Sequence, residues 1–258
     1  MSSLQIGVFA DNLKLPLRDG IRKVKELGLS SFQIFTTTGE LLPENCDAAA
    51  RAEFKQFVAD LGLTISATCA DFGLGMVDAE RNKQLIPMLQ AQVDLARDLG
   101  VGIITTHIGT VPSKPDATWE VMADALNQIG KYAEDKGVVF ATETGPESGP
   151  VLRAFLETLK TSAVRVNLDP ANLTMAGYDL FEAVDALMPY IVHTHAKDGY
   201  VDPGKWREAP IGEGDVPWPG YIGTLKAHGY NGAYTIEREA GDDPIGDVKR
   251  AIEYLRSF

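Results

Sequence analysis

Cysteine is almost missing from this chain: Cys46 and Cys69 are the two among 258 residues, and they form no CxxC pair. A structural disulfide is not expected, and two idle or buried thiols in a reducing compartment are. Long apolar runs are missing too. No stretch approaches the roughly 20 apolar residues of a membrane span, and the opening MSSLQIGVFADN has neither a basic n-region nor a long apolar h-region. The expected address is the cytoplasm, with no membrane partner. Positive charge is scarce, with 24 Lys and Arg against 36 Asp and Glu for a net charge of −12. With no local basic patch to overcome that field, nucleic acid is not an expected partner.

What remains is an ordinary globular composition with a strong internal rhythm. A polar helical stretch, a glycine and a short β-branched run recur in KELGLSSFQIF, ADLGLTISATC, RDLGVGIITTH, EDKGVVFATE and KAHGYNGAYTIE. Gly28, Gly62, Gly100, Gly137 and Gly229 each fit the left-handed position that ends a helix. In AEFKQFVADLG, Phe54, Phe57, Val58 and Leu61 share one helical face that can pack on a sheet. Eight strand candidates follow: LQIGVFA, SFQIF, TISATCA, GIITTH, VVFATE, VRVNLD, YIVHTHA and AYTIE. Several are nearly continuous apolar runs, as parallel strands covered on both faces require.

Eight strands alternating with helices, without a linker or composition break, predict an α/β fold: a single (β/α)8 TIM barrel spanning residues 1–258. An open doubly wound sheet is the runner-up, but no G-x-G-x-x-G turn follows the first strand. Pro87 should start or kink the third helix. The connection from 197 to 217 is too long for a minimal turn, and long loops of this kind in barrels usually cover the active site.

In a parallel barrel the C-terminal strand ends meet on one face. Strand five ends in Glu143, strand six in Asp169, strand seven in His195 and strand eight in Glu237. Three carboxylates and an imidazole converging there would repel and perturb one another unless a divalent cation used their oxygens. Such a set suits Mn²⁺, Mg²⁺, Co²⁺ or Zn²⁺, with Mn²⁺ favoured by the oxygen-rich shell. Each acidic ending alone has a simpler reading as a cap on the next helix. His193, two residues before His195, faces the same side one layer deeper, and reads as a core or supporting residue rather than a second ligand.

The motifs ATETG, NLDPANL, VHTHAKDG, PIGEGDVPWPGY and YTIERE, in this order, resemble the sugar phosphate isomerase/epimerase family of xylose-isomerase-like TIM barrels. The resemblance implies one metal ion held by Glu143, Asp169, His195 and Glu237, with Glu143 and Glu237 also serving as acid and base on opposite faces of a ketose. It also implies a small-molecule sugar or polyol-derived substrate and a homo-oligomer. The chemistry agrees, because a cation on a ketose carbonyl and its neighbouring hydroxyl acidifies the C–H between them and stabilises an enediolate. One carboxylate can remove the proton and the other return it.

Supporting residues carry competing readings. His107, ending strand four, can bind a substrate hydroxyl or simply line the rim; Glu147 and Asn172 can bind hydroxyls, though helix capping also explains Asn172. Lys197 can face the substrate while Asp198 holds the loop, or both can be solvated. Arg207, beside Lys205 and Trp206, can reach a phosphate or hydroxyl, with an exposed basic loop the plainer reading. His228, before Gly229, reads as a helix-end residue.

Three other functions compete. A dehydratase of the inosose or dehydroshikimate type would share the first proton abstraction and then lose a hydroxyl. A non-catalytic sugar-binding protein would not need the second glutamate. An endonuclease IV-like phosphodiesterase would need further metal ligands where this chain has Asn172, and would have to overcome the net charge of −12.

Overall fold

The computed structural model describes residues 4–202 and 205–258. In chain order the elements are β1 (Gln5–Phe9), α1 (Leu17–Glu26), β2 (Ser31–Phe35), α2 (Ala48–Asp60), β3 (Thr64–Cys69), α3 (Ala79–Leu99), β4 (Ile103–Thr106), α4 (Ala117–Lys136), β5 (Val139–Glu143), α5 (Gly149–Leu156), β6 (Val164–Leu168), α6 (Pro170–Met175), α7 (Leu180–Leu187), β7 (Ile191–Ala196), β8 (Asp198–Gly199), β9 (Glu208–Ala209), α8 (Trp218–Ala227), β10 (Ala233–Ile236) and α9 (Pro244–Leu255). β8 and β9 form a small antiparallel ribbon in the long connection after β7. The other eight strands are parallel and close into a barrel in the order β1-β10-β7-β6-β5-β4-β3-β2. All eight strand candidates are present, and β10 is the eighth barrel strand.

The punctuation seen in the sequence is physical. Gly28, Gly62, Gly100, Gly137 and Gly229 have φ between 67° and 83°, where a Cβ would strain the backbone. The starts of six helices, α2, α3, α4, α6, α7 and α9, are set by aspartates: Asp47, Asp78, Asp116, Asp169, Asp179 and Asp243 each accept a backbone N–H of the following helix. Part of the negative charge is therefore spent on orphan donors at positive helix ends.

Pro87 does not begin the third helix. α3 starts at Ala79 under the Asp78 cap, and Pro87 lies inside it on the exposed side. The caps and the buried face of α3, including Leu85, Leu89 and Val93, outweigh the hydrogen bond that the proline removes. The predicted face of α2 holds: Phe54 and Val58 are buried, and Phe57 and Leu61 pack against the core.

Two irregularities in the sheet bear on the site. The pairing of β2 with β3 shifts register between Phe32 and Gln33, and that of β6 with β7 shifts between Val166 and Asn167. A bulge re-aims the side chain beside it. Here the residues skipped by the pairing are Ser66 of β3 and Val192 of β7, and the buried Gln33 and Asn167 stand on the strands opposite them.

Candidate metal and substrate site

Glu143, Asp169, His195 and Glu237 all reach one point at the C-terminal mouth of the barrel. Each offers a ligand atom within 4.8 Å of the others, and all four residues are buried. His195 Nδ1 lies 3.6 Å from Glu143 Oε1, 3.4 Å from Asp169 Oδ2 and 3.3 Å from Glu237 Oε2. The site fits a cation on the chemistry of its orphans. Asp169 Oδ2 and His195 Nδ1 are fully buried without a hydrogen-bond partner, and both face the centre of the cluster. Asp169 caps α6, its Oδ1 accepting the Asn172 N–H, and its Oδ2 is left facing the cluster.

Each cluster residue is held from behind. The Nε2–H of His195 donates to Gln33 Oε1 at 3.1 Å, which orients the ring with Nδ1 inward, so that loss of the Nδ1 proton would free that nitrogen for a cation. Gln33 is itself tied through its amide N–H to Thr105 Oγ1. Glu143 accepts from Asn172 Nδ2 at 2.9 Å and Asn167 Nδ2 at 3.3 Å. Lys197 Nζ donates to Glu237 Oε2 at 2.8 Å and to Glu239 Oε2 at 2.5 Å.

Electrostatics follow from burial and these partners. Burial pushes the Asp169 carboxyl up, with the neighbouring carboxylates adding to it. Burial acts the same way on Glu237, but His195 and Lys197 win and bring it to about 2. His195 is pushed down by burial, yet Glu237 and Glu143 hold its imidazole well above the usual range. A cation would take over the role that the His195 proton plays among these carboxylates.

His193 is the deeper residue that its position suggested. Its Nδ1 donates to Asn167 Oδ1 at 2.8 Å, and its Nε2 accepts from Thr235 Oγ1 at 3.0 Å. Burial lowers its pKa to about 3, so it stays neutral. Satisfied on both nitrogens, it has none left for a metal.

Above the cluster opens a cavity of about 340 Å³ with Phe9 and Phe35 among its apolar walls. His107, Asn172 and Lys197 line it. His107 is half-exposed, its Nδ1 2.7 Å from Asp71 Oδ2 and its Nε2 3.4 Å from Glu143 Oε1. Glu143 and Asp71 raise its pKa to about 11. Two expected contacts are not on the lining. Glu147 is buried and accepts the Val111 N–H at 3.1 Å, and burial raises its pKa to about 7. Arg207 stacks over the Tyr200 ring, 4.7 Å from its centroid, while its neighbour Trp206 takes the place on the wall. His228 sits at the end of α8 beside Asp185, away from the site.

Sequence reasoning passed over Gln33, Asn167, Asp71 and Glu239. Asp71 follows the third strand, so the strand-end rule applied there would have found it. Gln33 and Asn167 are lone amides within apolar strands, a signal of buried hydrogen bonding, but their partners lie on other strands and only the folded barrel shows them. Cys69 also lines the cavity, and both cysteines are free and buried.

The comparisons with known proteins agree with this architecture. An L-ribulose-5-phosphate 3-epimerase of Salmonella paratyphi C is 25% identical over 251 residues, covering 92% of this chain and 88% of that protein. A xylose isomerase domain protein from Planctomyces limnophilus shares the fold with a TM-score of 0.87 at 24% identity, over 99% of this chain and 96% of that one. A D-psicose 3-epimerase from Clostridium cellulolyticum H10, solved with D-tagatose, superposes with a TM-score of 0.80 at 18% identity, over 98% of this chain and 99% of that one. The profile of the xylose isomerase-like TIM barrels matches residues 21–258, which include every strand end that contributes to the cluster. The chain belongs to that family.

Proposed function

We propose that this protein is a divalent-metal-dependent isomerase or epimerase acting on a ketose or ketose phosphate by proton abstraction α to the carbonyl. The observation that carries the reading is the cluster itself: four buried ligand atoms within 4.8 Å, two of them unpartnered, on the floor of a cavity of sugar-accommodating size. The name of the curated relative supplies the phosphorylated member of that substrate class. Glu143, Asp169, His195 and Glu237 would hold the ion, and three oxygens with one imidazole nitrogen favour Mn²⁺. When bound, the ion would polarise a carbonyl and an adjacent hydroxyl and so acidify the C–H between them.

The remaining work falls to the chain's own residues. Glu143 and Glu237 stand on β5 and at the end of β10, three strands apart around the ring, so a sugar over the cluster lies between them. One carboxylate removes the proton from one face and the other returns it to the opposite face. Asn167 and Asn172 aim Glu143, and Lys197 aims Glu237, which keeps both carboxylates in fixed rotamers. His107 and Asn172 present polar groups to the substrate hydroxyls.

The test is solvent deuterium. Protein loaded with Mn²⁺ is expected to introduce deuterium next to the carbonyl of at least one ketose in a broad panel. Glu237→Gln should lower that rate about 10²–10⁴-fold with the metal retained. No exchange with any ketose would sink the proposal, and an unsaturated ketone seen by its ultraviolet absorbance would reassign the site to elimination.

A further inference from the structure

Asp198 follows Lys197 directly and is fully buried, though it takes no part in the cluster. Its carboxylate accepts the N–H groups of Gly199 at 2.9 Å, Gly212 at 2.8 Å, Gly214 at 3.3 Å and Val216 at 3.1 Å, and the indole N–H of Trp218 at 2.9 Å. Backbone N–H groups converging on one anion, after the seventh barrel strand and ahead of the next helix, are a common means by which such barrels hold a substrate phosphate. Here the anion is the chain's own. The wrapping is tight, for a Cβ at Gly214 would clash with the Asp198 carboxylate.

The nearby cations are committed as well. Among the described residues, Lys197 is shared by Glu237 and Glu239, and Arg238 lies between Glu208 and Asp247. Lys205 pairs with Asp202, and Arg207 covers Tyr200. Among the described residues around the cavity and its floor, Asp71, Glu143, Asp169, Glu237 and Glu239 face Lys197, His107 and His195 as basic partners, and a divalent ion would displace the proton of His195. A divalent ion would leave that balance negative. On the same wall stands Trp206, 62% exposed, with an apolar face for the C–H side of a sugar.

Resting on the isomerase/epimerase reading, we infer that the substrate is an uncharged ketose, its non-reacting end against Trp206, and not a phosphate ester. The donors after the seventh barrel strand are taken up by the Asp198 carboxylate, and the rim carboxylates repel a phosphate dianion.

The experiment offers the Mn²⁺-loaded protein free ketopentoses and ketohexoses beside their terminal phosphates in D₂O. In parallel, tryptophan fluorescence follows binding of the unreactive polyols and polyol phosphates. For the best free ketose, kcat/KM should exceed that of its phosphate at least about 100-fold, and the polyol should bind at least about tenfold more tightly than its phosphate. Trp206→Ala should raise KM for the free ketose about tenfold with kcat little changed, which is loss of uniform binding. A phosphate ester turned over as well or better, or a polyol phosphate bound more tightly, overturns the inference and leaves the isomerase/epimerase reading standing. An unchanged KM in Trp206→Ala overturns the placement of the sugar. Absence of exchange with both classes overturns the functional reading, and this inference with it.

Discussion

Gln33 illustrates how much of the site depends on residues that touch no substrate. Its side chain orients His195 from across the barrel, so Gln33→Leu should lower Mn²⁺ affinity about 10–100-fold, read by calorimetry, while the circular dichroism stays that of the parent. Glu147 gives a second test, through pH. Burial raises its folded pKa from the ordinary 4.5 to about 7, so the folded state keeps a proton that the unfolded chain has lost. Stability should therefore fall as pH rises from about 4.5 to about 7, and stay flat above, with a cost near 3 kcal/mol for this one group. Glu147→Gln keeps the acceptor for Val111 without the buried charge, so it should raise the melting temperature at pH 8 and leave it nearly unchanged at pH 4.5.

Among the elements, the connection after β7 is the one whose form rests on a single side chain. Asp198→Ala would strand the N–H groups of Gly212, Gly214 and Val216 and the Trp218 indole. The expected loss is at least about 3 kcal/mol, with faster hydrogen exchange at those amides than in the barrel strands. This connection also marks where the sequence stops being legible. Its length and glycines announce a loop over the site, but Lys-Asp-Gly reads equally as a solvated turn. Nothing local to the sequence says that the aspartate turns inward and the lysine toward Glu237. The barrel strands are different, because their apolar runs and glycine stops are local signals.

For the whole molecule, the eightfold repeat makes the closed barrel readable, and closure brings the four strand ends together. The hydrogen bonds of Gln33 and Asn167 depend on how the strands assemble around the ring, which no single strand encodes. If the cluster holds an ion, binding must be linked to folding. At a free Mn²⁺ concentration a hundred times its dissociation constant, stability should rise by about 2.7 kcal/mol, or roughly 5–10 °C in melting temperature, and chelation should reverse it. The four cluster residues all lie in the second half of the chain, whereas the brace on His195 comes from β2, 162 positions earlier. A fragment carrying β5 to β10 alone would own every ligand and lack that brace, and it should bind the ion more weakly than the intact chain. Metal uptake would thus act as an assembly checkpoint, granted in full only to a ring whose first half has been laid in place.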